Sequence, residues 1–62
     1  MNEWIKVKRG SKIELPEGTV VEVMFKNEKI VTATINGNWF VCNPKELEVE
    51  DLILGVSKYR IK

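Results

Sequence analysis

No histidine, a single cysteine, two prolines and no long apolar run set this 62-residue chain apart by what it lacks. Without histidine, the usual acid–base group near neutral pH is missing. Ser11 and Ser57 have no sequence neighbours that would activate them, so no enzyme is expected. Cys42 alone cannot close an internal disulfide, which excludes a disulfide-stapled secreted mini-protein and points to a reducing cytoplasm. Because Cys42 follows Phe40-Val41 with no nearby cation in sequence, a buried structural thiol outweighs a nucleophile. The opening MNEWIKVKRG has no apolar signal core, and no stretch reaches membrane-spanning length, so no membrane association is expected.

Charge of either sign is not in excess: ten basic and nine acidic residues leave a net +1. The charges are nonetheless polarised along the chain, an arrangement that can orient an encounter. Lys6, Lys8, Arg9 and Lys12 face only Glu3 in the first segment, and Lys58, Arg60 and Lys62 close the chain without an acid. Between them lie Glu46, Glu48, Glu50 and Asp51, offset only by Lys45.

What the chain has in quantity is strand alternation broken by turns. WIKVK, from Trp4 to Lys8, puts Ile5 and Val7 on one face and Trp4, Lys6 and Lys8 on the other. Arg9-Gly10-Ser11 breaks that strand, and Ile13 and Leu15 lead into a Pro16-Glu17-Gly18 turn. Thr19 to Lys26 is the strongest strand, with Val21, Val23 and Phe25 opposite Val20, Glu22 and Met24. Asn27-Glu28 forms a short hairpin loop, and Asn36-Gly37 suits a type I′ turn. Asn43-Pro44 ends the returning strand, since proline cannot donate to a ladder. Residues 45–54, KELEVEDLIL, read as an irregular segment or a single helical turn near 45–52, with Leu47, Val49 and Leu52 as apolar plugs. After Gly55 alternation resumes, with Val56, Lys58, Arg60 and Lys62 on one side and Ser57, Tyr59 and Ile61 on the other.

A chain this short buries only about 60% of the surface its unfolded form exposes, so a net stability of roughly 3–5 kcal/mol is expected. A deep substrate cavity would remove core it needs. The expected fold is all-β: residues 1–62 as a single domain, a small SH3-like barrel of about five antiparallel strands. The alternative is an open antiparallel sheet that dimerises to cover its face.

If the first and last strands are neighbours, Lys6, Lys8, Lys58, Arg60 and Lys62 share a face with Trp4 at its margin. Cations beside an exposed aromatic suit a phosphate backbone and a stacked base. Lysines on outer strands also block edge-to-edge aggregation, and the near-neutral total favours that reading over nucleic acid. Trp39 and Phe40 are adjacent, so one ring points inward and the other outward. An outward ring either covers a barrel end or anchors an interface. Tyr59 is expected inward, its hydroxyl at the rim. The acids at 46–51 read as a solvated face, because a calcium site needs more oxygen ligands in a turning loop. No metal or cofactor is expected, and four acids are few for a mimic of nucleic-acid charge.

Four stretches together carry a resemblance: Trp4-Ile5-Lys6-Val7, Leu15-Pro16-Glu17-Gly18-Thr19-Val20-Val21-Glu22-Val23, Gly37-Asn38-Trp39 and Lys58-Tyr59-Arg60-Ile61. The chain resembles short phage and prophage accessory proteins of unknown function. Their pattern runs from an N-terminal Trp through P-x-G-T-x-V-x-V, a hairpin and a second Trp to an acidic residue before a terminal Tyr-Arg strand. Asp51 stands for that acid but is separated from Tyr59-Arg60 by added residues including Gly55, and Asn27-Glu28 replaces the family's Asp-Gly. The resemblance implies an accessory role in the cytoplasm of a bacterial host cell.

The expected function is therefore a non-enzymatic module that binds a host or phage protein through an aromatic patch flanked by charge. Trp4, Trp39, Lys6, Lys8, Lys58 and Arg60 are the candidate partner-binding residues. The alternatives are a weak nucleic-acid binder using the basic terminal strands, and a structural homo-oligomer.

Overall fold

Alternation in the second strand decides which side of the sheet becomes the core. The computed structural model describes residues 3–8, 10 and 12–62. It is a mainly β fold with five strands: β1 (Ile5–Lys6), β2 (Val20–Phe25), β3 (Ile30–Asn36), β4 (Trp39–Cys42) and β5 (Val56–Ile61). All pair antiparallel in one sheet of order β1-β5-β2-β3-β4. Val21, Val23 and Phe25 of β2 are buried with Val31, Ala33 and Ile35 of β3 and Tyr59 of β5. The register sets Tyr59, Val23 and Val31 side by side across three strands. Phe40 points inward, as one of the Trp39-Phe40 pair must, and tilts against Tyr59 with ring centres 5.3 Å apart.

The β2–β3 connection has three residues, Lys26–Glu28, closed by Phe25 N–H to the Lys29 carbonyl at 2.8 Å. The expected two-residue loop at Asn27-Glu28 would have slipped the register by one, setting Thr32 opposite Val23 instead of Val31. Side-chain period two makes such a slip expel the apolar set from the core. The odd loop restores the match by placing Glu28 at φ 70°, a left-handed position usually given to glycine.

The β3–β4 turn also differs from expectation. Asn36 pairs with Trp39, so Gly37 and Asn38 are the central residues. Only Gly37 has positive φ, at 62°, which is the type II′ form rather than I′. A turn centred on Asn36-Gly37 would have set Asn38 opposite Ile35, whereas the observed register sets Phe40 there. Val56 is a further correction. A register shift in the β2–β5 ladder pairs it with Phe25, and it packs on the core instead of siding with Lys58.

The sheet does not close into the expected barrel: among the described residues no ladder joins β1 to β4. Both edge strands are short, β1 having two residues and β4 four. Pro44 starts a 3-10 turn, Pro44–Glu46, where β4 would have continued, with the Asn43 side chain accepting the Lys45 N–H at 3.0 Å. The core is covered instead by Ile13 and Leu15 from the loop after β1 and by Leu47. A six-residue helix, α1 (Val49–Leu54), then leads through Gly55 into β5.

Candidate functional site

Two surfaces gather the residues to which sequence pointed. The first lies on the outer face of the sheet. Because β1 pairs with β5, Lys6 lies opposite Lys58, and the condition for a shared basic face is met. The Arg60 guanidinium sits 4.3 Å from the centre of the Trp4 ring, with the Lys58 ammonium 5.8 Å from it. Arg60 Nε also donates to Glu22 Oε1 at 2.9 Å. Lys8 is exposed just past β1, after Val7, whose N–H donates to the Ser57 carbonyl at 3.0 Å. Trp4, Lys6, Lys58 and Arg60 thus form one cluster with Lys8 beside it, while Trp39 lies on β4 at the other edge of the sheet. Arg9 and Ser11 lie outside the described residues.

The second surface is built by an acid that sequence placed in solvent. Asp51 is 2% exposed. Its Oδ1 accepts from Asn27 Nδ2 at 2.7 Å, and its Oδ2 accepts from Lys29 Nζ at 2.8 Å and from the Glu48 N–H at 2.9 Å. The Lys29 hydrogen bond, then the Glu48 N–H and the Asn27 amide, hold the Asp51 carboxyl down at about 2. The same hydrogen bond raises the Lys29 ammonium above its ordinary value. The solvated-face reading therefore fails for Asp51, since its partners are Asn27 in the β2–β3 loop, Lys29 just after it and the N–H of its own helix start.

This anchor turns α1 inside out. At 100° per residue, Val49 and Ile53 lie on the side opposite Asp51, with Leu52 beside them. They are 72%, 78% and 65% exposed, and Trp39 on β4 is 76% exposed. Of the three expected plugs only Leu47 packs on the core; Val49 and Leu52 do not. Sequence reasoning missed Ile53 altogether. Its signal was present in the 49, 52, 53 spacing, but that stripe does not say which way the helix faces.

Between β4 and α1 lies a groove of about 480 Å³. Phe25, Phe40, Leu47 and Val56 line its core side, and the exposed Trp39 and Leu52 edge it. Cys42 also lines it, and burial together with the Glu46 charge raises its thiol pKa. A thiol held protonated is a packing group rather than a nucleophile. Among the described residues no three histidine, cysteine or carboxylate side chains gather as a metal site. Fold and surface together define a small, mainly β domain with an apolar groove at one edge of an open sheet. Compared with known proteins, the chain matches no family model, no curated protein and no solved structure.

Proposed function

We propose that this chain is a non-enzymatic protein-interaction module, of the phage or prophage accessory kind, working in the bacterial cytoplasm. The observation that carries the reading is the apolar groove edged by the exposed Trp39 and Leu52, with Val49 and Ile53 exposed on the same short helix. A domain with seven buried core side chains among the described residues has little reason to leave so much apolar surface in water unless a partner covers it. Trp39 is the anchor in this reading, since large aromatic side chains dominate interface energetics. Trp4 is already engaged by Arg60 and Lys58. The strand order with a 3-10 turn after β4 supports classing the fold as a partly open SH3-like barrel.

Capture from nuclease-treated bacterial lysate tests the reading. A stoichiometric protein should be retained by the native chain and lost with Leu52→Ser or Trp39→Ala. Retention unchanged by both substitutions would refute it.

A second reading, weak nucleic-acid binding, is favoured by the pairing of Lys6 with Lys58 on the outer face. Lys6→Glu with Lys58→Glu should then abolish binding to single-stranded DNA, and binding to the native chain should weaken steeply with salt.

A further inference from the structure

We propose that two clefts on either side of β1 hold the sugar–phosphate backbone of a nucleic-acid strand, by charge alone and without base stacking. This rests on the nucleic-acid reading and names both the site and the part of the ligand it grips. Lys6 of β1 and Lys8 just past it line both clefts. Toward β5 and the end of β2, Lys26 joins them beside Ser57 in a cleft of about 590 Å³. On the other side Lys12 joins them over Ile13 and Tyr59 in a cleft of about 230 Å³. Lys58, opposite Lys6 on β5, completes the patch. Lys26 reaches it because its N–H donates to the Gly55 carbonyl at 3.1 Å, where β5 begins. The charge there is unmet. None of these five lysines makes an ion pair among the described residues, and no acid lines either cleft. Glu22, on the outer face, is already held by Arg60. Glu46, Glu48 and Glu50, which offset much of the total, lie on the segment after β4. The net charge of the chain therefore understates the field around β1, which is what a polyanion meets first.

Stacking is missing for a structural reason. Trp4 lines neither cleft, and the Arg60 guanidinium lies 4.3 Å from the centre of its ring. Tyr59 is the one aromatic lining residue among the described residues, and it is buried. The platform on which bases stack is therefore absent, and the lysines act as point charges. Lys6 and Lys8 are two residues apart on extended chain, about 7 Å, a span that one nucleotide can bridge. A phosphodiester strand has a charge at every repeat and can follow one cleft across β1 into the other. A bilayer surface is too flat to enter either.

The test follows the fluorescence anisotropy of a labelled oligothymidylate, and of an abasic oligomer of the same length, with the full chain over a range of salt. The two oligomers should bind equally, within about twofold. Lys12→Gln with Lys26→Gln should weaken both by about tenfold and flatten the logarithmic salt slope by about 1.4, two contacts at roughly 0.7 each. Preference for the thymidylate by about fivefold or more would reveal a stacked base and overturn the grip by charge alone. An unchanged salt slope in the Lys12 and Lys26 double variant would overturn the clefts as the site. The nucleic-acid reading would then still stand if reversal of Lys6 and Lys58 abolished binding. Equal affinity for poly-glutamate, or for phosphatidylserine vesicles, would assign the patch to an acidic protein or a membrane instead. No binding of either oligomer by the native chain at low salt would remove the inference and the nucleic-acid reading together.

Discussion

Trp4 and Trp39 sit at opposite edges of one sheet and teach opposite lessons. Around Trp4 the groups satisfy one another: Arg60 and Lys58 approach its ring, and Glu22 accepts from Arg60. Around Trp39 no such contact forms among the described residues, and the neighbouring helix shows its apolar side to solvent. Both tryptophans stand in strand-like sequence beside polar residues, so composition alone does not separate them. What separates them is where the polar partners go. On the outer face, cation and acid meet each other beside an aromatic ring. At α1, the acid is drawn inward by Lys29 and Asn27, and the apolar side chains are left outside.

Breaking that inward anchor should have the largest effect. Asp51→Ala leaves the Lys29 ammonium and the Glu48 N–H without their acceptor, and should lower the urea midpoint more than any other change considered. Asp51→Asn removes the titrating group and so isolates its linkage to pH. The folded carboxyl lies at about 2, below its ordinary 3.8, so its contribution is complete above 3.8 and is lost as pH falls toward 2. Unfolding of the native chain followed by circular dichroism should steepen across that interval, and the Asn variant should lack this part of the acid limb.

Trp4→Ala tests the satisfied side. Losing a cation–π contact of about 0.5–1 kcal/mol, with some packing, should cost roughly 1 kcal/mol in denaturant unfolding. Glu28→Gly should act in the opposite direction. It relieves a left-handed φ of 70°, and a gain of roughly 0.5–1 kcal/mol is expected from the same measurement. Leu52→Ser should barely move stability, within about 0.5 kcal/mol, yet abolish partner capture. A stability loss as large as that of Trp4→Ala would mean that Leu52 holds the fold together, and the contrast between the two edges would disappear.

The faces of β2 and β3 are legible because alternation runs unbroken along both, unlike β5, where a register shift turns Val56 to the core. Val21, Val23, Phe25, Val31, Ala33 and Ile35 all point inward where alternation puts them. Tyr59 does too, and the meeting of Lys6 with Lys58 followed once the terminal strands paired. Closure of the barrel was not legible, because it depends on how far β1 and β4 reach, and no local pattern states that. The facing of α1 was hidden for a different reason. Asp51 is held by Asn27 and Lys29, 24 and 22 residues away in sequence, and each of those residues alone reads as part of an ordinary hairpin. Loop length at Lys26–Glu28 was recoverable in principle, since Val31 rather than Thr32 must face Val23.

The Asp51 anchor also has a consequence in time. Asn27 and Lys29 stand in position only after β2 and β3 have met, so the carboxylate has no seat until that hairpin exists. The helix is thus expected to settle late in folding and to release early, its amides exchanging with deuterium ahead of those in β2, β3 and β5. A protein that grips Val49, Leu52 and Ile53 would hold an element that opens ahead of the central strands, and slower exchange there on binding would record the capture.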